Sequence, residues 1–379
     1  MEKADVVVVG GGVVGLSIAY NLAKRGVRKI AVVERRYVGS GASTRNACGI
    51  TDQFGAKENI ALAKESKRIF EDLSKELGFN ILYVRGGNLL IATTEREAKI
   101  LRNNVRTQNS LGVNSRLLAP SDVEDTFPYM SSESIVNAAY NPTDGKAHHD
   151  AVVWAYERAS ERLGVEVDTY TEVKALTVEG GAVKSVITDK GEIKTEIIVN
   201  AAGVLSSVVA KMAGVDLPIK PYKVEAMVTE PLRYFLDPRI LSLAEHLFLT
   251  QTLRGELMGG ILVTKEPPSI TLQSSLLFLE LFASEIVKLM PRLRFVNLMR
   301  QWVGYFDVTP DGSAILGPVD GVEGFIQANG FNGHGFTMAP VVGRLIAELI
   351  TAKRTSIPLE PFRLSRFREG RLLPENTVS

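Results

Sequence analysis

The amino-acid sequence predicts an α/β protein with a Rossmann-type dinucleotide-binding unit near its start. Three observations lead to this fold class. Residues 6–9 are an unbroken run of valines, typical of a strand that is buried on both faces of a parallel sheet. Gly10, Gly12 and Gly15 follow at the G-x-G-x-x-G spacing, and a helical pattern of apolar residues comes after them. A second strand pattern, over residues 30–33, ends on the acidic Glu34.

The glycine loop has the chemistry of a diphosphate site. The first glycine permits a tight turn, the second lets a pyrophosphate approach the backbone, and the third lets the helix pack closely on the strand. The helix also directs its N-terminal N–H groups and its positive dipole end at the loop. Glu34 comes about 20 residues after the loop, where a carboxylate binds a free ribose 2′-hydroxyl, so FAD or NAD is favoured over NADP. A ligand-free glycine turn is the alternative, but it does not explain the strands, the helix and the acid occurring together.

Composition and charge exclude several classes of protein. The 379 residues suffice for two domains or for one large domain with insertions. A net charge of +1 gives no reason to expect a nucleic acid as partner. Cys48 is the single cysteine, so we expect no disulfide, no metal site and a cytoplasmic location. Residues 6–23 are uncharged, but three consecutive glycines and Glu2 argue against a signal peptide or a transmembrane segment.

Helical and strand patterns continue along the chain. Amphipathic helices are predicted over residues 60–77, 97–111, 150–163, 277–289 and 338–351. Strands are predicted over residues 82–93 around a Gly-Gly turn, over 165–170, on both sides of residues 180–181, over 197–203 into an Ala-Ala-Gly turn, and over 325–328.

Two loops are candidates for ligand contact. Residues 37–50 combine small side chains with Ser43, Thr44, Arg45 and Asn46, which would let the loop close over a flat, phosphate-bearing ligand. A plain surface loop explains this composition equally well. Residues 329–335 are rich in glycine and lead into the helix predicted over 338–351, an arrangement typical of an anion or ring-edge site.

Taken together, these motifs resemble the D-amino-acid oxidase superfamily of flavoproteins. They are most similar to the group that contains the β subunits of dye-linked L-proline dehydrogenase and of heterotetrameric sarcosine oxidase. Their order and spacing are more specific than any single stretch. The matching stretches are GGGVVG with Glu34, GSGASTRN, NPTDGKAHHDAVVWAYER, NAAG, LTQTLRGELMGG, GYF, TPDG and GFNGHGFTMAP.

The resemblance implies an FAD-binding domain assembled from residues 1–80, 134–212 and 304–379. Residues 81–133 and 213–303 would form an α+β substrate domain on a mixed or antiparallel sheet. The flavin ring would lie between residues 45–50 and 332–337. The residues implied to contact FAD are Val9, Gly10, Gly12, Val13, Val14, Gly15, Glu34, Arg35, Gly41, Ala42, Ser43, Arg45, Asn46, Cys48, Gly49, Ile50, Val173, Ala201, Ala202, Gly203, Gly304, Asn332, Gly333, His334, Gly335, Phe336 and Thr337.

The resemblance also implies the reaction, oxidation of a primary or secondary amine beside a carboxylate with hydride transfer to flavin N5. Such chemistry needs a positioned neutral amine, a carboxylate clamp and a pocket that contains little water. The catalytic candidates that follow from the resemblance are Arg45, Phe248, Arg254, Tyr305, Phe306 and His334.

Two positions depart from the family pattern. Gly304 stands where monomeric sarcosine oxidases have the cysteine that binds FAD covalently, so non-covalent FAD is expected. Thr51 stands where many relatives have the arginine that clamps the substrate carboxylate. The sequence does not choose among the remaining cations, which are Arg45, Lys223, Arg254 and Lys265.

The histidines admit more than one role. His149 matches the position of a histidine that carries covalent FMN at a subunit junction in heterotetrameric sarcosine oxidase. Alternatively, His148 and His149 are a surface pair that caps the helix from Asp150. His334 is assigned to flavin contact, with acid–base work as a lesser role, and His246 is unassigned.

Two classes of function remain open. One is an FAD-dependent amine dehydrogenase of the L-proline or sarcosine type, acting as the β-type subunit of a complex with an α-type subunit or as a homo-oligomer. Its electron acceptor would be a dye, a quinone or an iron–sulfur protein, and partners would account for any association with a membrane. A D-amino-acid or glycine-type dehydrogenase or oxidase is a variant of this function. The other class is a non-catalytic flavin subunit that relays electrons.

Overall fold

A computed structural model describes residues 1–243, 247–262 and 267–377 of the chain. The unassigned His246 and the candidate cation Lys265 lie outside these residues. The helices are α1 Val13–Lys24, α2 Lys57–Leu77, α3 Glu95–Ser110, α4 Pro120–Thr126, α5 His149–Arg162, α6 Ser206–Met212, α7 Leu276–Leu289, α8 Gly335–Ala352 and α9 Arg366–Glu369.

Each stretch predicted to form a strand contains one, with ends that differ by a few residues, and further strands lie between these stretches. The strands are β1 Val6–Val9, β2 Ile30–Val33, β3 Gly49–Ile50, β4 Val84–Arg85, β5 Asn88–Ala92, β6 Arg116–Leu118, β7 Asn137–Asn141, β8 Gly145–Lys146, β9 Glu166–Asp168, β10 Val173–Glu179, β11 Ala182–Thr188, β12 Gly191–Lys194, β13 Ile198–Asn200, β14 Lys220–Pro231, β15 Arg239–Ser242, β16 Leu247–Gln251, β17 Glu256–Ile261, β18 Leu298–Val308, β19 Ile315–Val319 and β20 Val322–Asn329.

The first sheet is the predicted Rossmann sheet. Its strands run in the order β10-β11-β20-β13-β1-β2-β9, and the pairs from β20 to β9 are parallel. The valine run of β1 is buried on both faces. Val6 and Val8 pack into a core with α1, α5 and α8, whereas Val7 and Val9 pack into a second core with α6 and β10–β12. Alternation of side chains along a strand explains why one short apolar run contributes to both cores.

Helix α8 forms the centre of the helical layer. It packs against α1 and α2 and is mostly buried inside the protein, although it is long and apolar enough to span a bilayer by length and composition alone. A Cβ at Gly343 would overlap Ser17, so this glycine permits the close approach of α8 to α1. Burial against two helices identifies α8 as a core helix of the first domain.

The second sheet is mixed, in agreement with the expected substrate domain. Its strands run in the order β18-β14-β17-β16-β15-β5-β7-β6, and β15 pairs with β5 in parallel while the other neighbours are antiparallel. Helix α7 covers one face through Phe278 and Phe282, which share a core with Leu249 and Leu257. This sheet is built from two chain segments. Strands β5–β7 come before Rossmann strands β9–β13 in the sequence, and strands β14–β18 come after them.

The boundary expected at residue 134 differs from the observed pairing. Strand β7 hydrogen-bonds to β5 and β6, so residues 137–141 belong to the second sheet although they were expected in the FAD-binding segment 134–212. A small antiparallel third sheet, β3-β8-β4, takes one strand from before residue 51, one from residues 84–85 and one from residues 145–146. Residues 304–308 likewise pair with β14 in the second sheet, although they were expected in the FAD-binding segment 304–379. The rest of the expected division stays a prediction.

A buried ion pair fastens the segment that follows α8. Arg366 is 1% exposed. Its guanidinium donates to Asp311 from Nε at 2.8 Å and from Nη2 at 2.9 Å. Burial raises the pKa of Asp311, and the hydrogen bonds from Arg366 bring it below the usual value. The stabilisation by this pair is therefore expected at neutral pH and is lost when acidification protonates Asp311.

We expect Arg366→Leu to lower the free energy of unfolding by about 3–5 kcal/mol, because it leaves a buried carboxylate without its cation. Arg368→Leu is the matched control in the same helix, since the Arg368 side chain is 78% exposed. Its effect should stay within about 0.5 kcal/mol. Urea unfolding followed by circular dichroism measures both variants. Equal losses would contradict the role assigned to the buried pair.

Candidate functional site

A long cleft runs from the carboxyl ends of the Rossmann strands to the face of the second sheet. Ligands of open parallel sheets bind at the carboxyl ends of the strands, and the ends of β1, β2, β13 and β20 all contribute to this cleft. The predicted residues found in its wall are Val9, Gly10, Gly12, Val13, Val14, Glu34, Arg35, Gly41, Ala42, Ser43, Arg45, Asn46, Gly49, Val173, Ala201, Ala202, Gly203, Phe248, Gly304, Tyr305, Phe306, Asn332, Gly333, His334, Gly335, Phe336 and Thr337.

Five predicted site residues do not contribute to this wall. They are Gly15, Cys48, Ile50, His149 and Arg254. Gly15 still fulfils its packing role, because a Cβ there would overlap the carbonyl oxygen of Gly10. As contacts of a cofactor, the residues of the wall remain predictions.

The glycine loop leaves no room for side chains. Gly10 has φ +113°, in the region that favours glycine, and a Cβ there would overlap the carbonyl oxygen of Ala201 at the end of β13. The N-cap Gly12 provides no side-chain cap for α1, and the Val13 amide donates to Ser43 Oγ at 3.0 Å. A hydroxyl and the first-turn N–H groups of α1 therefore meet at one point, as a diphosphate site requires.

Glu34 is fixed at the end of β2. Its Oε2 accepts from the Gly11 amide at 2.9 Å, and its Oε1 accepts from the Arg36 amide at 2.9 Å and from Ser40 Oγ at 3.1 Å. Oε2 accepts only one of these hydrogen bonds, so it keeps a lone pair that can accept from a ribose hydroxyl. The acid predicted from its spacing therefore has the required place and orientation.

The loop over residues 37–50 folds against the cleft, but Arg45 differs from its expected role. Its Nη1 donates to the carbonyl oxygens of Ser40 and Gly41, the latter at 2.6 Å, and Trp302 Nε1 donates to the Arg45 carbonyl oxygen at 3.4 Å. The guanidinium of Arg45 thus holds its own loop together. This bonding reduces its capacity to act as a carboxylate clamp.

Two of the other proposed substitute cations, Arg254 and Lys223, are also engaged elsewhere. The Arg254 side chain is 80% exposed and pairs with Glu256 at 3.1 Å, so the expectation that it reaches the cleft is wrong. Lys223 pairs with the buried Glu225 at 2.8 Å. Thr51 lines the cleft and donates to Asp144 at 2.5 Å, which confirms that this position presents no charge.

The far end of the cleft lies at the N-terminus of α8. His334 is half-buried and packs edge-on against Phe54 at 4.7 Å between centroids, and its buried Nε2 has no hydrogen-bond partner among the described residues. Burial, aided by the positive charge of Arg239, lowers the pKa of His334 to about 3. The imidazole is therefore neutral at physiological pH, and the positive end of the α8 dipole is the electrostatic feature at this point.

Aromatic side chains close the apolar part of the cleft. Phe248 and Phe306 line it, and the Phe306 ring would meet a Cβ at Gly333 within 2.6 Å. The Tyr305 hydroxyl donates to the Ile270 carbonyl oxygen at 2.7 Å. The predicted aromatic residues therefore share one pocket, in which Tyr305 presents its ring while its hydroxyl is occupied.

Sequence reasoning missed Arg239, a cation in the same pocket. The residue is 8% exposed, its Nε donates to Asn88 Oδ1 at 2.9 Å, and its Nη2 has no hydrogen-bond partner in the described parts of the chain. Burial lowers the pKa of Arg239 to about 10, which leaves the guanidinium charged at neutral pH. No local pattern in the sequence marks this arginine, since its neighbours are set by the pairing of β15 with β5.

The histidine pair at the start of α5 is only partly as expected. Helix α5 begins at His149, and the N-cap His148 makes no side-chain cap hydrogen bond, so the capping alternative is wrong. The His149 side chain is 13% exposed and its Nδ1 donates to the Asn46 carbonyl oxygen at 3.1 Å, with Cys48 Sγ at 3.3 Å. Burial lowers the pKa of His149, whereas Cys48, Asp150 and the Asn46 carbonyl raise it to about 9.

The Rossmann sheet, the diphosphate cradle and the second sheet across the cleft define a two-domain FAD-binding α/β protein. More particularly, the chain belongs to the DAO family, described as "FAD dependent oxidoreductase", whose sequence model matches residues 5–349. The cradle fits FAD, because the first turn of α1 and Ser43 line the cleft where a diphosphate would bind, and Glu34 keeps an acceptor for ribose.

Known proteins with similar sequences and structures agree with this assignment. The chain is 30% identical to a sarcosine oxidase subunit beta from Rhodobacter capsulatus over 100% of this chain and 92% of the relative. The crystal structure of L-proline dehydrogenase from P. horikoshii superposes with a TM-score of 0.92 at 36% identity, over 98% of this chain and 99% of that one. Glycine oxidase from Geobacillus kaustophilus superposes with a TM-score of 0.89 at 26% identity, over 97% and 99%.

We expect Gly15→Ala to abolish FAD binding, because the added methyl group overlaps the Gly10 carbonyl oxygen and separates α1 from the loop. Absorbance near 450 nm per protein chain measures bound flavin. Gly26→Ala is the control, since φ is +90° there but a Cβ meets nothing within 4 Å. It should lower stability by about 1 kcal/mol and keep the flavin. Full flavin content in Gly15→Ala would argue against the cradle.

Proposed function

We propose that the protein is an FAD-dependent amine dehydrogenase that oxidises an amino acid or N-alkyl amino acid of the L-proline or sarcosine type. The observation that carries this proposal is the continuity of the cleft, which leads from a dinucleotide cradle into a pocket with aromatic walls and a buried cation. The names of the relatives support it, since a sarcosine oxidase subunit and an L-proline dehydrogenase both match nearly the whole chain.

The residues of the pocket suit oxidation of an amine beside a carboxylate. Bound non-covalently, FAD would supply a hydride acceptor. Phe248 and Phe306 provide apolar surface that excludes water from the amine. The neutral His334 adds no second positive charge to that of Arg239 in the pocket, and the α8 N-terminus favours the negative charge that accumulates on reduction. Of the predicted catalytic residues, Phe248, Tyr305, Phe306 and His334 are the ones that this proposal retains in the pocket.

The protein is proposed to work as the β-type subunit of a hetero-oligomer, with a homo-oligomer as the alternative. The relative from Rhodobacter capsulatus is named as a subunit, which supports the first arrangement. A dye, quinone or iron–sulfur partner would then accept the electrons. FMN at a subunit interface is a second part of the proposal, and His149 is its candidate attachment point. A cytoplasmic location, with contact to membranes through partners, remains a prediction.

Two alternatives have specific support. A glycine-type or D-amino-acid dehydrogenase or oxidase is supported by the similarity to glycine oxidase. A non-catalytic relay subunit is supported by the neutral Thr51, which donates its hydrogen to Asp144 and offers no charge to a substrate.

The purified protein is expected to be yellow, to release its FAD on acid precipitation, and to bleach anaerobically with one of L-proline, sarcosine, D-proline or glycine. L-proline or sarcosine would support the proposed type, whereas D-proline or glycine would support the first alternative. A bound flavin that no amine reduces would favour the relay subunit. Absence of flavin would contradict the assignment of the cleft.

If FMN is attached at His149, yellow colour should remain with the acid precipitate of protein expressed together with its partner subunit. His149→Asn is expected to remove that colour without changing the acid-released FAD, because His149 lies outside the cleft wall. His148→Asn is the matched control, since its ring lies 5.4 Å from the His149 ring. Retained colour in His149→Asn would exclude this residue as the attachment point.

A further inference from the structure

We propose that Arg239 binds the carboxylate of the substrate, in place of the arginine that is absent at position 51. This inference rests on the proposed function and names the residue that recognises its substrate class, a small amino acid with a free carboxylate. The sequence did not suggest it. It follows from the burial, the partners and the position of one side chain.

Arg239 is a buried cation whose charge is not matched by a carboxylate of its own. Its residue exposure is 8%, and no ion pair joins it to a carboxylate among residues 1–243, 247–262 and 267–377. Asp144 is the carboxylate whose charge acts on it, but Asp144 is already bound by Lys67 at 2.9 Å and by Thr51 at 2.5 Å. A buried guanidinium of this kind costs free energy unless an anion pairs with it.

The guanidinium is held in one orientation from behind. Its Nε donates to Asn88 Oδ1 at 2.9 Å, Asn88 Nδ2 donates to Gln53 Oε1 at 2.8 Å, and Gln53 Nε2 donates to the Ala139 carbonyl oxygen. Arg239 and Asn88 are also register partners in the parallel pair of β15 and β5. The Nε edge is therefore committed to the protein. The Nη2 group, buried without a partner, is left for a ligand.

The guanidinium lies close to Thr51, the position that lacks the arginine of many relatives. It covers the backbone of Gly49, where a Cβ would overlap it, and Gly49, Thr51 and Arg239 lie together in the cleft wall. Arg239 belongs to β15, and its guanidinium lies beside β3, the strand that directly precedes the uncharged Thr51. His334, whose Nε2 also lacks a partner, lies in the same wall. A small amino acid would place its carboxylate at Arg239 and its amine towards the aromatic pocket.

The test compares substrates with and without a carboxylate. Arg239→Met and Arg239→Lys are assayed with the amino acid that reduces the flavin and with the matching amine, such as L-proline and pyrrolidine. For Arg239→Met we expect kcat/KM for the amino acid to fall about 100-fold or more, mainly through KM, because a buried, charge-assisted contact to the carboxylate is lost. The value for the amine should change by less than about threefold. Arg239→Lys should retain part of the preference for the acid, since it keeps the charge but loses the fork geometry.

Arg368→Met is the matched control, because its side chain is 78% exposed on α9, and it should leave both substrates unaffected. An equal fall for acid and amine in Arg239→Met would overturn the proposal and indicate a structural role through Asn88. Unchanged values for both would overturn it as well. If Arg239→Met loses its flavin, Arg239→Lys decides: a rise in KM of about tenfold for the acid alone supports the proposal, and an unchanged KM refutes it.

A binding measurement separates this inference from the proposed function. Tetrahydrofuran-2-carboxylate keeps the ring and the carboxylate of proline but has no oxidisable amine. Calorimetry should show that it binds the wild-type holoenzyme at least about tenfold more tightly than Arg239→Met. This difference would support Arg239 even if no amine reduced the flavin. Equal binding to both proteins would refute Arg239 even if the enzyme oxidised proline.

Discussion

The structure depends on a contact between backbones that leaves no space for side chains. At the end of β1, Gly10 lies against the carbonyl of Ala201 from β13, and Gly15 in the first turn of α1 lies against Gly10. This contact sets the distance between α1 and the sheet, and with it the direction in which the helix N-terminus points. Ser43 and Glu34 then reach the same loop from two different segments. The cradle is therefore a property of chain packing before it is a property of particular side chains.

The buried cations of the protein differ in whether a carboxylate pairs with them. Lys67 is buried between Asp52 and Asp144, and Arg366 is buried against Asp311, so each of these cations stabilises its own surroundings. Arg239 is buried to a similar degree but uses one edge for a neutral amide. A buried positive charge without a paired anion is unfavourable for the free protein. An anionic ligand that pairs with it relieves this cost and binds more tightly as a result.

Much of the first domain follows from local sequence. The valine run, the glycine spacing and Glu34 predict β1, α1 and β2 with their roles, because each depends on residues close together in the chain. Helix ends at Gly78 and Gly112 are predicted for the same reason, since both glycines adopt positive φ. Local sequence does not predict which sheet residues 137–141 join, nor that Arg239 lies in the cleft wall. Both are decided by the pairing of β7 and β15 with β5, which involves segments far apart in sequence.

Arg45 and Arg254 illustrate the same limit for side chains. Both are cations in stretches that match the family, yet one bonds to the carbonyls of its own loop and the other extends into solvent beside Glu256. A motif gives the type of residue and its approximate region. It does not give the hydrogen bonds that decide whether the side chain is available.

The parallel pairing of β1, β13 and β20 also has a consequence for biosynthesis. Val8 pairs with Val199, and Val199 pairs with Ile326, so the sheet beneath the cradle joins residues from the first, middle and last parts of the chain. Contacts of such long sequence separation form slowly. Strands β1, β2 and β13 can pair before β20 and α8 have been translated, but the sheet and the helical layer that packs on it through α1 and α8 cannot. The cradle therefore reaches its final support only after the ribosome has passed residue 352.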